Sequence, residues 1–255
     1  MRVGIIGLGT MGKALFDGIQ GAFPGVSISG TTRSSQAAAN AALVRDADVV
    51  ILCVKPQQAR AIVEELAPSL PATALLVSIV ASVTVADLEA WSGSRCAIVR
   101  AMPNTPCLVG AGMTALCASP KTDAKFLATA RSLFEPLGKS VIVEESLMDG
   151  VTGLSGCGPA YVYLIIEALS EAGVKLGLPR TTSTLLAAQT LLGAAKMVLD
   201  RGEHPAALKD EVTTPAGCTI DGLMVLEEGK LRSTLISGVI AAATRSKTLR
   251  LGDGK

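Results

Sequence analysis

The first dozen residues leave few choices of fold. Residues 2–8, "RVGIIGL", are a short apolar, β-branched stretch that runs straight into "GLGTMG". This gives G-x-G-x-x-G at Gly7, Gly9 and Gly12, followed by a helical pattern over residues 11–23. A strand that turns on glycines into a helix is the opening unit of a dinucleotide-binding βαβ fold. Gly7 permits the tight turn, Gly9 lets backbone approach a pyrophosphate, and Gly12 lets helix and strand pack closely. The amino end of the helix then faces the negative charge. With Leu8, Thr10 and Met11 between the glycines, all of residues 7–12 are candidate cofactor contacts.

The alternation continues. Apolar strand patterns recur at 26–32, 48–54, 74–80, 96–103, 113–119 and 139–145, with helical stretches between them, including one over 34–47. In the stretch 57–70, Ala59, Ile62, Val63 and Leu66 fall at a helix's spacing. Strands apolar on both faces and alternating with helices predict a mostly parallel, doubly wound sheet. Past residue 150 no strand is convincing, and Ala/Leu-rich helices are expected at 158–176, 180–201, 205–211, 218–228 and 231–248. The expected fold class is therefore α/β, a Rossmann-type domain over 1–149 followed by an all-helical domain over 150–255. The boundary falls between Glu145 and Thr152, at a tight joint rather than a disordered linker.

The end of the second strand indicates which dinucleotide is bound. An NAD site usually carries Asp or Glu there to bond the ribose hydroxyls. Here the strand ends "GTTRSS", with Thr32, Arg33 and Ser34 and no acid. Hydroxyls beside a guanidinium suit a 2′-phosphate, so NADPH is favoured and NADH remains possible. The third strand ends "CVKP", which puts Val54, Lys55 and Pro56 on the ligand side of the sheet. In "AMPNTP" (101–106) two prolines stiffen a polar loop around Asn104, a candidate wall for the nicotinamide.

Composition excludes several functions. The net charge of +1 offers no footprint for nucleic acid or an anionic membrane. No run of about 18 uninterrupted apolar residues is present to span a bilayer. The amino-terminal stretch lacks a secretory signal's pattern, so a cytoplasmic location is expected. The six cysteines form no C-x-x-C pair, which points to buried thiols rather than zinc or disulfides. His204, the only histidine, precedes Pro205 at a helix start, where a capping or packing role is expected. Glu167, Glu171 and Lys175 are spaced for charge pairing along one helix.

The helical half contains two more informative segments. "GLSGCGPAYVYLIIEAL" (153–169) is a glycine-rich turn with Pro159 opening a helix. That plan is similar to the β-hydroxyacid dehydrogenases, but Val162 stands where their pattern places a catalytic lysine. "VTTPAGCTIDGL" (212–223) leads two threonines through a small turn into a helix, with no histidine, lysine or glutamate. Such a loop offers hydrogen-bond donors and no obvious base.

Taken in order, "GLGTMG", "CVKP", "RAMPNTP", "SGCGPAYVY", "AAQTLLGAAKM" and "HPAALKDEVTTPAGCTIDGL" resemble the pyrroline-5-carboxylate reductase family over residues 2–248. The resemblance implies reduction of the cyclic imine 1-pyrroline-5-carboxylate to L-proline, the last step of proline biosynthesis. It implies that Thr219 bonds the ring nitrogen, and that Thr214, with the backbone of Gly217 and Cys218, holds the carboxylate. It also matches Asn40 to an asparagine near the adenosine ribose or its phosphate. It further implies a homodimer or larger homo-oligomer whose site is shared between subunits. Where many relatives carry Ser-Pro-Gly-Gly, this chain has Thr214-Pro215-Ala216-Gly217. Another NADP-dependent imine or cofactor reductase of the same plan, or a non-catalytic NADP-binding sensor, are the alternative readings.

Overall fold

Seven short strands, β1 (Arg2–Ile6), β2 (Ser27–Thr31), β3 (Val49–Leu52), β4 (Leu75–Ser78), β5 (Ala97–Met102), β6 (Gly112–Ala118) and β7 (Gly138–Ile142), form one sheet in this computed structural model, which describes residues 1–35 and 37–250. Their order is β2-β1-β3-β4-β5-β6-β7. The first five strands are parallel; β6 turns antiparallel to β5, and β7 runs parallel to β6. Central strands buried on both faces explain their unbroken apolar character, with every residue of β3 and β4 inaccessible.

Side-chain alternation divides the strands between two cores. Ile6, Val50, Leu52, Leu76 and Ile98 point to one face. There they meet α2 (Ala37–Arg45), α3 (Pro56–Leu66) and α4 (Val85–Ser92), including Trp91 of α4. Val3, Ile5, Ile51, Leu75 and Val77 point to the other, against α1 (Thr10–Ala22) and α5 (Ala124–Phe134). The sheet is thus covered on both sides, as the alternating pattern predicts. The connection from β1 leaves through α1 toward one face and that from β3 through α3 toward the other, so a crevice opens beyond the carboxyl ends of β1 and β3. The helix expected over 34–47 is shorter, and Gln36 lies outside the described residues.

After β7 come α6 (Met148–Val151), a π-helical turn over Thr152–Gly156, and then the helices α7 (Gly158–Lys175), α8 (Arg180–Arg201), α9 (Pro205–Val212), α10 (Cys218–Glu228) and α11 (Leu231–Arg250). Residue contacts separate two units: Met1–Cys157 together with the chain from Ile240 onward, and Gly158–Val239.

The helical unit packs differently from the sheet. Where α7 crosses α8 the buried residues are Ser170, Ser183 and Ala187. A Cβ on Gly173 would lie 2.5 Å from Ser183 Oγ, so glycine is needed for the approach. Leu164, Leu185, Leu192, Leu199 and Met224 are exposed instead. Glu171 does not pair along its own helix with Lys175: Arg180 takes it at 2.6 Å across the α7–α8 turn, because the short Gly177 turn brings the start of α8 within reach. By mean hydropathy (1.2) and length, α8 also meets the composition of a membrane span, which a count of uninterrupted apolar residues misses because Thr and Gln break the run.

Candidate active site

The crevice at the carboxyl ends of β1 and β3 is a cavity of about 900 Å³. The turn 7–12 forms its floor, and two of its three glycines have a steric reason. Gly7 has φ +101°, and a Cβ on it would sit 2.6 Å from the Cys53 carbonyl oxygen. A Cβ on Gly12 would run into the Gly7 carbonyl oxygen, so α1 could not lie so close to the strand. At Gly9 a Cβ would meet nothing within 4 Å. Its side faces open space, and packing alone does not demand glycine there. Gly9 is also the N-cap of α1, with no side-chain cap and no acidic residue in the first turn. The orphan N–H groups of that turn are free for an anion.

The rim comes from β2. Gly7 and Leu8 donate to the Thr31 carbonyl, and Leu8 packs over Gly30. Thr32 N–H donates to Ser35 Oγ at 3.0 Å, and the hydroxyls of Thr32 and Ser34 share a 2.9 Å bond. The turn is organised by its own hydroxyls, and Arg33 has no acidic partner among the described residues. Two buried acceptors beside it lack a partner, Thr31 Oγ1 and Asn40 Oδ1. Both belong to residues that line the cavity, so both are open to pairing with a bound ligand.

Of the residues singled out from sequence, Gly7, Leu8, Gly9, Thr10, Met11, Gly12, Thr32, Arg33, Asn40, Val54 and Lys55 line the cavity. Ser34 stands behind Thr32 in the turn, and Pro56 opens α3 rather than facing the cavity. Asn104 is committed elsewhere: Oδ1 accepts from Met113 N–H at 2.9 Å, and Nδ2 donates to the Ser155 carbonyl at 3.2 Å. It therefore ties the loop after β5 to β6 and to the π-helical turn. Gln58, Ile62 and Glu65 line the cavity and were missed, although their spacing of four and three residues on α3 marks one helical face. Ile79 and Met102 at strand ends were missed as well. Cys53 also faces the cavity; burial pushes its thiol far above the usual range, so it stays neutral and unreactive.

The segment 212–219 forms the second candidate site. Thr213 ends α9, Thr214 to Gly217 make a turn closed by Gly217 N–H on the Thr214 carbonyl, and Gly217 is the N-cap of α10. No side chain caps α10. Neither the Thr214 nor the Thr219 hydroxyl has a partner among the described residues. Gly217 cannot be replaced cheaply, because a Cβ would collide with Thr214 Oγ1. Ala216 adopts φ +56°, a left-handed conformation that glycine enters more easily. Cys218 is exposed at the first position of the helix. An uncapped helix start flanked by free hydroxyls can hold a carboxylate and donate to, or accept from, a polar ring atom. His204, in contrast, is an N-cap: its Nδ1 accepts from Ala206 N–H at 3.2 Å.

Known proteins share both segments. Residues 145–249 match the family model described as pyrroline-5-carboxylate reductase dimerisation, and residues 2–82 match one described as NADP oxidoreductase, coenzyme F420-dependent. The chain is 47% identical over 210 residues to a pyrroline-5-carboxylate reductase of Glycine max, covering 81% of this chain and 75% of that one. It is 37% identical over 263 residues to the Escherichia coli enzyme of that name, covering 97% and 98%. The crystal structure of Plasmodium falciparum pyrroline carboxylate reductase with NADP bound superposes with a TM-score of 0.89 at 35% identity over 98% of both chains. Likeness of this extent runs through the glycine turn, the sheet and the helical unit alike, and the chain belongs to the pyrroline-5-carboxylate reductase family.

Proposed function

We propose that this chain reduces 1-pyrroline-5-carboxylate to L-proline, the final step of proline biosynthesis, with NADPH as the preferred donor and NADH accepted. The observation that carries this reading is the bare amino end of α10, flanked by two unpartnered hydroxyls, in a chain of this family. When bound, the reduced nicotinamide supplies the hydride. The cyclic imine is basic enough to be substantially protonated near neutral pH, so its carbon is already electrophilic and no enzymic base is required.

The residues then bind and orient. Thr219 Oγ1 bonds the ring nitrogen, while Thr214 and the N–H groups of Gly217 and Cys218 grip the carboxylate. Such positioning is worth about 7–11 kcal/mol of barrier when geometry is right. On the nucleotide side, residues 7–12 cradle the pyrophosphate and Asn40 bonds the adenosine moiety. Arg33, with Thr32 and Ser34 beside it, takes the 2′-phosphate; Val54, Lys55 and Pro56 border the path toward the nicotinamide, and Asn104 steadies its wall. In this division residues 1–149 hold the dinucleotide, and the helices over 158–239 hold the substrate and the second subunit, while the end of α11 packs with the sheet unit. The site is shared between subunits of a homodimer or larger homo-oligomer. The enzyme works in the cytoplasm and needs neither nucleic acid nor membrane.

The deciding experiment follows oxidation of NADPH at neutral pH with and without pyrroline-5-carboxylate, using the six-membered piperideine carboxylate and NADH as controls. Substrate-dependent oxidation fastest with the five-membered ring and NADPH is expected. Nucleotide binding without turnover on either ring would replace the reductase with a nucleotide-binding sensor.

A further inference from the structure

The loop between β4 and α4 ends a central strand on the ligand side of the sheet, and its first residue, Ile79, lines the dinucleotide cavity. A loop in that place bears directly on where a bound dinucleotide lies. Its backbone is not relaxed: Ser82 holds φ +64°, a left-handed conformation that a non-glycine residue rarely adopts. Conformations of this kind persist where the surroundings impose them.

Two acids from one short segment hold the loop at two points. At its far end, Glu145 Oε1 accepts from Val85 N–H at 2.7 Å, the first residue of α4. That carboxylate is fixed in turn by Arg100, 2% exposed, whose Nη1 donates to it at 3.2 Å. At its middle, Ser82 Oγ donates to the Ser246 carbonyl at 3.3 Å. Ser246, near the end of α11 and only 5% exposed, is anchored by its own hydroxyl, which donates to Asp149 Oδ1 at 2.8 Å. Ser82, Asp149 and Ser246 lie far apart in sequence, and all belong to the unit that holds the cavity.

We propose that Ser246 and Asp149 are positioning residues for the dinucleotide: they fix the end of α11 so that it sets the strained Ile79–Thr84 loop against the cavity. The loop is thereby preorganised for nucleotide, and the last turns of α11 become part of the cofactor site without touching the cofactor. The inference rests on the reading of the cavity as an NADPH site.

The test is NADPH titration of the full-length protein, followed by nicotinamide fluorescence, beside steady-state kinetics. Ser246→Ala is expected to raise the NADPH dissociation constant and KM about five- to tenfold, the worth of one partly buried hydrogen bond. kcat and the KM for pyrroline-5-carboxylate should change less than twofold. Asp149→Ala should follow Ser246→Ala, and Asp149→Asn, which keeps an oxygen acceptor, should recover most of the lost affinity. If Ser246→Ala fails to fold, the contrast between the two Asp149 variants decides the same question. A rise below threefold in folded Ser246→Ala or Asp149→Ala overturns the proposal, as does equal loss in Asp149→Ala and Asp149→Asn. If the unaltered protein does not bind NADPH, the cavity reading itself falls.

Discussion

The two units of this molecule are built inside out relative to one another. In the α/β unit, leucine, isoleucine and valine fill two cores on either side of the sheet, and Gly7 and Gly12 of the 7–12 turn are demanded by backbone contacts. In the helical unit the residues buried between α7 and α8 are two serines and an alanine, and the leucines face outward. One unit carries its own core. The other carries half of a core, and a partner of the same kind has to supply the rest. The 7–12 turn is thus built into the packing of its own unit, whereas most of the 212–219 turn is exposed in the single chain.

That contrast can be broken by charging the outward face of α8. Leu185, Leu192 and Leu199 recur every seven residues and are all more than half exposed. Leu192→Asp should dissociate the oligomer in size-exclusion chromatography and cut turnover by about 100-fold or more, since an unpaired charge at an interface costs several kcal/mol. NADPH affinity should stay within about twofold; loss of both together would mean that the α/β unit is not self-sufficient. The mirror change is Gly12→Ala. Its methyl group would collide with the Gly7 carbonyl, so NADPH affinity should fall about 30-fold or more while the oligomer persists. A smaller effect is expected from Thr219→Val. Losing one hydrogen bond to a charged ring nitrogen should lower kcat about 10- to 100-fold with NADPH binding intact; unchanged turnover would remove Thr219 from the chemistry. The smallest is Ala216→Gly, which relieves the left-handed backbone but adds entropy to the unfolded chain. The net gain should be near 0.5 kcal/mol, seen as a rise of about 1–2 °C in Tm.

The sequence made the local features legible and hid the distant ones. Gly7, Gly9 and Gly12 could be read because their spacing and the flanking strand encode the turn, and the strand–helix alternation carried the sheet. His204 could be read as a cap because Pro205 follows it. The face of α3 that lines the cavity was harder: Gln58, Ile62 and Glu65 mix polarity, and an apolar count passes over them. Asn104 looked like a wall because its loop is stiff, yet both ends of its amide are engaged by partners 9 and 51 residues away. The link from Ser82 through Ser246 to Asp149 was invisible for the same reason, since nothing local to Ser246 marks it. Glu171 shows the converse, a local spacing rule overridden by an arginine from the next helix.

The placement of the aromatic residues has a practical consequence. The one tryptophan of the chain, Trp91, packs on α4 against a core of the α/β unit, whereas the two tyrosines, Tyr161 and Tyr163, both lie on α7. Emission excited selectively in the indole therefore follows the α/β unit, and the phenol bands, separated from the indole by second-derivative absorbance, follow the helices. The molecule carries a separate optical reporter in each half, so the order in which the two melt, and how each responds to dilution, can be recorded on the unlabelled protein.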